Sequence, residues 1–580
     1  MQKQWQLRPP VSQEFINQFP EINEVILQLL YNRGFNSQKD IDDFLSASYD
    51  DGLFDPYLFK EMTKAVERLW RAFQQKEKVM IYGDYDADGV CSTVILYQTL
   101  KSLGLEVDTY IPFREGEGYG LNTKIVQQFI AQKYQLLITV DCGIANQSEI
   151  KLLKENNIDV IVLDHHEEPL ELPPALAIIN PALKNSGYPA VKLCGAGVVF
   201  KFVQALMIYL EKNNSPLKLP VGFDKWLLDL VAIATVGDIV PLVSENRLLV
   251  KYGLLVLGKT KNLGLKKMLE KINNRSSRLD SEYLAWRLAP RLNAAGRINH
   301  ASVAFNLLIS VSEEEASKWA EILENNNRQR QEITEKILNR AFEQVGEVGG
   351  ETKFLIVCGE GWPAGILGLV AGRLCDKFQR PTLVFTEETA GGEKKYVASG
   401  RSIDEFDITA ALKECHDLLL RYGGHPQACG LTILSEKNYS AFCQKIKIIV
   451  EEKLTGVKLL PTLEIEAKIK AAQINWELLV ELEKFEPFGE GNAKPLLLLE
   501  NLKIEQVQTV GADGKHLKIL ASQDNDLANL HKLIGFSFGE WCAIIKPGDK
   551  IDIVFELDVN EWNGNRELQL KIIDLRLSKY

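Results

Sequence analysis

Short apolar runs alternate with amphipathic stretches through the part of the chain that follows residue 76. Apolar runs of a few residues predict buried strands, and stretches with apolar residues every three or four positions predict helices. The predicted strands cover residues 79–82, 107–112, 135–140, 159–163 and 175–179, and the predicted helices cover residues 90–100, 123–132 and 147–155. This alternation predicts an α/β domain with a mostly parallel, doubly wound sheet.

The pattern changes on both sides of this region. Residues 1–75 predict a helical lead-in, and residues 312–345 predict one long polar helix whose thin apolar stripe suits a connection between domains. A second, smaller α/β unit follows, with strands at 354–357, 382–385 and 396–401 and helices at 364–378 and 408–422.

From residue 459 onward the chain contains short strands with alternating polarity. They cover residues 463–469, 495–509, 516–521, 533–538, 550–559 and 567–577. Five or six such strands predict a small β-barrel of the OB type. The resulting domain assignment is residues 1–75, 76–310, 311–348, 349–455 and 456–580.

Composition is ordinary for a globular protein, with 46% hydrophobic and 25% charged residues in a chain of 580. The sequence contains neither a recognisable signal peptide nor an apolar run long enough to cross a bilayer. We therefore expect a cytoplasmic protein with no membrane association. The nine cysteines include no CxxC pair and are expected to be reduced thiols rather than disulfides or zinc ligands.

The net charge of −11 argues against a simple polycationic nucleic-acid-binding protein, but the charge is unevenly distributed. Residues 251–300 contain eleven Lys or Arg against three Asp or Glu, a local net charge of +8. Local distribution decides nucleic-acid binding more than the total charge does. We therefore expect this basic stretch and the acidic clusters described next to form a cleft with both signs of charge.

Acidic and imidazole side chains follow three of the predicted strands. The first strand is followed by three aspartates at alternate positions, and the others by Asp141-Cys142-Gly143 and Asp164-His165-His166. A fourth cluster, Gly237-Asp238, ends an apolar stretch at residues 226–236. Parallel strands bring their carboxyl ends to one sheet edge, where ligands bind. Taken singly, each aspartate could be a helix cap and each histidine a core residue.

Taken together, the four clusters favour a metal centre. The three aspartates after the first strand, Asp84, Asp86 and Asp88, repel one another unless a cation compensates them. Carboxylates suit Mg²⁺, and imidazole shifts the preference toward Mn²⁺. The donors suffice for two divalent ions that share a bridging carboxylate, an arrangement used for in-line attack on phosphate. No Ser-His-Asp or Cys-His arrangement is suggested.

These clusters resemble the motifs of a known superfamily. Asp84-Tyr-Asp-Ala-Asp-Gly, Asp141-Cys-Gly, Asp164-His-His and Gly237-Asp resemble the four motifs of the DHH phosphoesterases, and Gly423-Gly-His-Pro resembles that of their companion DHHA1 domain. With the linking helix and the C-terminal barrel, the resemblance covers nearly the whole chain and extends to the bacterial single-strand-specific 5′→3′ exonucleases of this superfamily. It implies DHH, DHHA1 and OB-fold domains in a metal-dependent enzyme of DNA repair and recombination.

The resemblance also implies the metal ligands, residue by residue. Asp84 and Asp86 would hold two Mn²⁺ or Mg²⁺ ions, with Asp141 as the bridge between them. His165 and Asp238 would complete one of the two sites. All five residues belong to the motifs that carry the resemblance.

The remaining catalytic candidates lie beside these ligands. His166 would contact the scissile phosphate, and Asp164 would orient a histidine by a hydrogen bond. Met80 stands where relatives that hydrolyse small phosphates carry a histidine, and Asp88 is therefore a candidate to fill the first metal site.

The resemblance further implies how DNA is held. A terminal 5′ phosphate would be bound by two arginines, whose guanidinium forks match phosphate geometry, and by a serine; these are Arg114, Arg401 and Ser399. The other candidate substrate-binding residues are Arg291, Asn293, Arg297 and His425. The barrel would bind single strands by charge and by stacking of bases on aromatic rings, for which the candidates are Phe538, Trp541 and Trp562.

Two other functions remain open at this point. One is a DHH phosphodiesterase for short oligoribonucleotides or cyclic dinucleotides, although such enzymes usually lack the C-terminal barrel. The other is a non-catalytic single-strand-binding protein of the same fold, although the motif aspartates and histidines are intact. Single-stranded DNA is the expected partner, and the resemblance adds a single-strand-binding protein and a helicase as partners of a monomer.

Overall fold

The chain forms two compact units, residues 1–52 together with 460–580, and residues 53–459. The computed structural model describes residues 3–46, 48–114, 116–189, 192–215, 217–272, 278–390, 393–523, 530–562 and 564–578, the side chains of Ala390 and Trp562 excepted. The N-terminal region that we predicted at 1–75 is therefore divided between the two units. No helix within these described ranges is both long enough and apolar enough to span a membrane.

The N-terminal segment belongs to the same unit as the C-terminal barrel. Its elements are β1 (Gln4–Leu7), α1 (Gln13–Gln18), α2 (Glu24–Asn32), α3 (Gln38–Ser46) and α4 (Tyr49–Gly52). Strand β1 pairs in parallel with residues 462–465, and the apolar face of α2 is buried in the hydrophobic core of this unit. The lead-in is thus not entirely helical, because a strand precedes its helices.

The larger unit begins with the predicted doubly wound domain. Its strands are β2 (Val79–Tyr82), β3 (Val107–Tyr110), β4 (Leu136–Val140), β5 (Asp159–Leu163) and β6 (Ala177–Ile179), and its first helices are α5 (Met62–Gln75), α6 (Ala87–Ser102), α7 (Thr123–Ala131) and α8 (Gln147–Glu155). The strand order is β3-β2-β4-β5-β6, and every pair is parallel. The predicted parallel sheet is confirmed, with bounds within two residues of those read from the pattern.

Helices complete this domain after the last strand. They are α9 (Gly195–Lys212), α10 (Leu228–Gly237), α11 (Ser244–Leu257), α12 (Leu263–Ile272), α13 (Ser281–Tyr283), α14 (Ala289–Ile298) and α15 (Ser302–Ile309), with a π-helical turn at Leu284–Leu288. Most residues of α9 and α10 are buried, as expected for helices that cover a parallel sheet.

The long linking helix is α16 (Glu313–Val345), and it begins where the side chain of Ser312 accepts a hydrogen bond from the backbone N–H of Glu315. Its acidic residues form ion pairs with the basic stretch 251–300. These pairs are Lys267–Glu313, Lys271–Glu321 and Arg291–Glu324. Part of the positive charge that we expected to face nucleic acid is therefore neutralised within the protein.

The second α/β domain of the larger unit packs against the C-terminal part of α16. It contains β7 (Leu355–Glu360), α17 (Ala364–Phe378), β8 (Thr382–Ala390), β9 (Glu393–Arg401), α18 (Ile408–Glu414), β10 (Arg421–His425), β11 (Ala428–Leu434) and α19 (Glu436–Lys453). The sheet order is β10-β11-β9-β8-β7, in which only β7 and β8 are parallel. The predicted helix 408–422 was wrong in its second half, because residues 421–425 pair with β11 as an edge strand.

The C-terminal unit contains the expected barrel. Its elements are β12 (Thr462–Ile465), β13 (Ala467–Lys468), α20 (Trp476–Glu483), β14 (Leu497–Val510), β15 (His516–Ser522), β16 (His531–Gly535), β17 (Lys550–Trp562) and β18 (Asn565–Leu577). Strands pair in the ring β14-β15-β16-β18-β17, and β17 pairs back to β14. This closed ring of five strands is the OB topology. All nine cysteines are free thiols.

Candidate metal centre and phosphate pocket

The predicted metal cluster lies at the carboxyl edge of the parallel sheet. Strand β3 lies on one side of β2 and β4 on the other, so the winding of the sheet reverses between β2 and β4, and ligands of such sheets bind at this reversal. Asp84 follows β2, Asp141 follows β4 and Asp164 follows β5. The structure thus brings the clusters to one edge.

The ligand atoms form three overlapping groups, each with its members within 4.8 Å of one another. These groups are Asp84–Asp86–Asp141, Asp88–His165–Asp238 and Asp141–His165–His166. The Nε2 atom of His165 lies 3.0 Å from Asp141 Oδ1, and its Nδ1 atom lies 3.8 Å from Asp238 Oδ2. The five residues expected to hold metal therefore lie within these groups, and Asp141 belongs to two of them.

The carboxylates of this cluster are poorly compensated by the protein itself. Burial raises the pKa of Asp84 and of Asp141, and the charges of neighbouring aspartates raise both further. Burial and the same repulsion raise the pKa of Asp238 to about 8. The buried Oδ1 atoms of Asp84 and Asp141 accept no hydrogen bond from any described residue. Crowded carboxylates with unpaired oxygens fit a divalent cation, and burial lowers the pKa of His165, which favours the neutral imidazole that binds metals.

Asp88 is held differently from the other two aspartates of its motif. Its Oδ2 atom accepts a hydrogen bond from the backbone N–H of Gly195 at 2.6 Å, and its Oδ1 atom accepts one from Ala196 at 2.7 Å. These donors are the first residues of α9, where a carboxylate is favoured by the helix dipole. A Cβ on Gly195 would lie only 2.7 Å from the Cβ of Asp141. Asp88 therefore anchors α9 closely against Asp141.

His166 belongs to a hydrogen-bonded chain beside the candidate metal ligands. Its Nδ1 atom lies 2.7 Å from Asp164 Oδ1, and the hydroxyl of Tyr119 lies 2.9 Å from the same nitrogen. Burial lowers the pKa of His166, but the hydrogen bond and charge of Asp164 outweigh it and raise the pKa to about 9. Tyr119 was not among the site residues predicted from the sequence; it lies in the glycine-rich segment after Arg114.

Three arginines converge next to this cluster. The guanidinium of Arg114 lies 5.0 Å from the ring centre of Tyr85, which stands between the metal-cluster residues Asp84 and Asp86. Burial and the charge of Arg114 lower the pKa of Arg297 to about 9. Burial and the charge of Arg114 also lower the pKa of Arg401. None of these three arginines forms an ion pair with a described residue, so their mutual repulsion favours a bound anion.

The arginine cluster lies against the first turns of helix α17. Arg297 donates a hydrogen bond from Nη1 to the carbonyl oxygen of Gly365 at 2.6 Å, within the first turn of the helix. A Cβ on Gly368 would lie 3.0 Å from Ser399 Oγ and 3.4 Å from Arg401 Nη2. The absence of a side chain at Gly368 therefore leaves room beside the predicted phosphate-binding serine and arginine.

The remaining DNA-binding candidates have partners within the protein. Arg291 forms a bidentate ion pair with Glu324, with its Nε atom 2.6 Å from Oε2 and its Nη2 atom 3.2 Å from Oε1. Asn293 Oδ1 accepts a hydrogen bond from the backbone N–H of Ala87 at 2.8 Å and so supports the aspartate-rich turn. His425 lies on exposed β10, with Nδ1 3.7 Å from Glu167. Their contacts with DNA stay predictions.

The aromatic rings of the barrel differ in how far they are exposed. Phe538 and Trp541 pack against the hydrophobic core, and the side chain of Trp562 lies outside the described part. Phe536 is instead 53% exposed, with its ring edge-on to His516 at 5.3 Å. It follows β16, at the end of the two strands that bind oligonucleotides in OB folds.

Comparison with known proteins agrees with this arrangement. Residues 78–235 match the N-terminal domain of the DHH family, residues 351–452 match the DHHA1 domain, and residues 465–574 match the RecJ OB domain. The parallel sheet with its carboxylate–histidine cluster is therefore that of a DHH phosphoesterase.

The relatives that match along nearly the whole chain identify its family more specifically. Over 99% of its length the chain is 37% identical to the single-stranded-DNA-specific exonuclease RecJ of Bacillus subtilis, covering 71% of that protein, and 32% identical to that of Salmonella typhimurium, covering all of it. The crystal structure of RecJ from Thermus thermophilus in complex with Mn²⁺ matches all of this chain and 80% of that one, with a TM-score of 0.81 and 28% identity; its complex with Mg²⁺ covers 100% and 79%, with a TM-score of 0.75 and 26% identity. The chain belongs to the RecJ family.

Proposed function

We propose that this protein is a metal-dependent exonuclease that hydrolyses phosphodiester bonds of single-stranded DNA in the 5′→3′ direction, in DNA repair and recombination. The observation that carries the proposal is the close approach of His165 Nε2 to Asp141 Oδ1, 3.0 Å, beside a cluster of arginines that form no ion pair with a described residue. Family membership over the whole chain supports the substrate.

Two Mn²⁺ or Mg²⁺ ions would be held by Asp84, Asp86, Asp141, His165 and Asp238. The membership of Asp141 in two ligand groups supports its role as the shared ligand. Such ions activate water and stabilise the leaving oxygen during attack on phosphate. Asp88 contributes by holding the α9 N-terminus against Asp141, which fixes the position of the shared carboxylate.

His166 would hold a proton next to the scissile phosphate. Asp164 keeps the ring in place and favours the charged imidazolium, since the pKa of His166 is about 9. A fixed positive charge at that position would stabilise the negative charge that develops on the phosphate oxygens. The hydroxyl of Tyr119, 2.9 Å from the same ring, limits the orientations available to it.

Polarity would come from recognition of the 5′ end. Arg114, Ser399 and Arg401 would bind a terminal phosphate through charge-assisted hydrogen bonds, and Arg297 would add a further positive charge. The contact of Arg114 with Tyr85 supports a pocket close to the metal cluster. The strand end would then be fixed a short distance from the scissile bond, which is a positioning effect on catalysis.

The OB barrel would add affinity for longer single strands through Phe536 and its neighbouring strands. A monomer in the cytoplasm that cooperates with a single-strand-binding protein and a helicase would suit this role. The proposal of these two protein partners rests on the family resemblance.

End-labelled DNA substrates test the proposal directly. Single-stranded and double-stranded oligonucleotides would be incubated with Mn²⁺, Mg²⁺ or EDTA, and the products resolved by size. We expect single strands to be shortened from the 5′ end only when a divalent ion is present. Preferred hydrolysis of di- or trinucleotides, or binding without cleavage, would favour one of the two other functions.

Asp141→Ala tests the metal centre in the same assay. Removal of the shared carboxylate should abolish cleavage, while binding of single-stranded DNA and the unfolding temperature should change little. Substantial residual cleavage would contradict the two-ion assignment.

A further inference from the structure

The residue after the metal-cluster residue Asp238 has a backbone conformation that its side chain disfavours. Ile239 has φ +56°, in the left-handed region. For a β-branched residue this conformation is a true outlier. Among the described non-glycine residues with positive φ, Ile239 is the only β-branched one.

The hydrogen bonds around Ile239 explain why that conformation is required. The N–H of Val240 donates to the carbonyl oxygen of Thr235 at 3.1 Å, and the N–H of Ile239 donates to that of Val236 at 3.2 Å. This pair of bonds is the Schellman motif, which ends a helix with a left-handed residue that is usually glycine and sometimes asparagine. Helix α10 therefore ends correctly, but with an unsuitable residue at the left-handed position.

Within the described part of the chain the same motif ends six other helices, which provide an internal comparison. Each shows the same two hydrogen bonds and a positive φ, and the left-handed residues after α2, α5, α6, α7, α8 and α9 are Gly34, Lys76, Gly104, Lys133, Asn157 and Asn214. Glycine, asparagine or an unbranched lysine stands at all six positions. The folding requirement of the motif therefore does not account for isoleucine after α10.

Packing does not account for it either. The side chain of Ile239 is 70% exposed, so little apolar burial offsets the strain. Strained residues persist where function requires them, and they concentrate at active sites. The location agrees with this, because adjacent Cα atoms are about 3.8 Å apart, and Asp238 contributes its carboxylate to the cluster around His165.

We propose that Ile239 is a substrate-contacting residue, whose exposed side chain packs against a nucleobase of the DNA strand next to the scissile phosphate. This rests on the proposed nuclease function. The phosphate and sugar face a cluster of carboxylates and imidazoles, whereas the base must leave that cluster, and Ile239 offers an apolar surface at its rim. The contact holds the nucleotide in register with the metal ligands.

Four variants of the full chain separate this role from a structural one. Ile239→Gly and Ile239→Asn place a permissive residue at the left-handed position, and Ile239→Val keeps a branched apolar side chain. Lys76→Gly makes the same backbone change after α5, in an equivalent motif. The unfolding temperature and kcat/KM would be measured for each on a 5′-phosphorylated single strand, and on strands with an abasic site at the first or the second nucleotide.

We expect Ile239→Gly and Ile239→Asn to unfold about 2 °C higher than the wild type, because the strain is relieved. Their kcat/KM on the normal strand should fall about tenfold, the range for loss of a small apolar contact. Ile239→Val should lose less kcat/KM than Ile239→Gly, because it keeps most of the branched apolar side chain, and Lys76→Gly should gain stability without loss of kcat/KM. On one of the two abasic strands, wild type should lose its advantage over Ile239→Gly.

Full cleavage by the stabilised Ile239→Gly variant would overturn the proposal, and equal losses on normal and both abasic strands would overturn the contact with a base. These outcomes are distinct from failure of the proposed function. If wild type cleaved no DNA, the nuclease assignment itself would fail, whereas the inference depends on the ratio between variants that are measured on a substrate that wild type does cleave.

Discussion

Aspartates of the same motif set differ in how their charge is compensated. Asp164 accepts hydrogen bonds from the His166 ring and from the backbone N–H groups of Ile144, His165 and His166. Burial opposes its ionisation, but these bonds prevail and lower its pKa. The Oδ1 atom of Asp141 accepts no hydrogen bond from any described residue, and burial raises the pKa of this carboxyl. The family resemblance implied different roles for the two, with Asp141 as a metal ligand and Asp164 as the residue that orients a histidine. The sequence did not show how each charge is compensated, because that depends on which backbone N–H groups the fold brings near each carboxylate.

Substitution of Arg401 tests the proposed 5′-phosphate pocket. Wild type should degrade a 5′-phosphorylated strand faster than the same strand with a 5′ hydroxyl. Arg401→Ala should lose most of that preference, about tenfold or more, because a charge-assisted contact with the phosphate is removed. Rates on the two substrates under single-turnover conditions would measure it.

Arg340→Ala, on the exposed face of α16, is the matched control and should keep the preference. Equal effects of Arg401→Ala on phosphorylated and unphosphorylated strands would contradict the pocket. Cleavage with the opposite polarity by the wild type would contradict it as well.

At the scale of elements, the pattern of apolar positions predicted the bounds of those strands and helices that are held in place by packing of an apolar face. Strands β2 and β5 and helices α8 and α17 begin and end where the pattern placed them. Strand β10 was missed because all its residues are exposed and carry no apolar periodicity; it is held by backbone pairing with β11 in a hairpin that turns at residues 426–427. The ion pair of Arg291 with Glu324 was missed for a different reason, since it joins two separate helices, α14 and α16.

A fully buried ion pair joins α9 to α11. The Nζ atom of Lys201 lies 2.7 Å from Glu245 Oε2 and also donates to the carbonyl oxygen of Phe54, while the hydroxyl of Tyr188 donates to Glu245 Oε1. Lys201→Met should lower the free energy of unfolding by about 3–5 kcal/mol, because it leaves a buried carboxylate without its cation. Denaturant titration would measure the loss.

The double variant Lys201→Met/Glu245→Leu is the control for this pair. It should recover much of the stability, because replacement of both charges removes the cost of burying either. If the double variant were as unstable as the sum of both single variants, the pair itself would not be the source of the effect.

The barrel offers a second test at this scale. Phe536→Ala should weaken binding of long single strands by about 1–3 kcal/mol, the range for loss of one base-stacking ring, without lowering stability, because the ring is exposed. Trp541→Ala should lower the unfolding temperature instead, because that ring packs on the core. Fluorescence anisotropy with labelled DNA would measure binding, and unchanged affinity of Phe536→Ala would contradict the assignment.

At the scale of the whole molecule, sequence patterns did not reveal that residues 1–52 belong to the same compact unit as the barrel. The DHH, DHHA1 and OB regions were predicted from local periodicity and from motifs that are contiguous in the chain. The membership of residues 1–52 in the barrel unit rests on the pairing of β1 with β12 and on the burial of α2, contacts between segments more than 400 residues apart. Periodicity indicates that a helix needs a partner surface, but it does not say which surface that is.

This division determines how the catalytic unit should be isolated. Residues 53–459 alone should retain cleavage of short single strands, because every proposed metal ligand lies within them, and should lose affinity for long strands. Comparison of kcat/KM for strands of about 6 and about 40 nucleotides would measure the difference. Equal losses on both lengths would assign the barrel a structural role instead.

Helix α2 is synthesised before the barrel strands that cover its apolar face. The apolar face of α2, with Ile26, Leu27, Leu29 and Leu30 fully buried in the finished protein, leaves the ribosome long before the barrel strands do. At roughly 5–20 residues per second, translation of the intervening 407 residues takes about 20–80 s. Throughout that interval the nascent chain carries an uncovered apolar helix, so chaperone capture during translation should occur first at α2, even while the nuclease domain behind it is already folding.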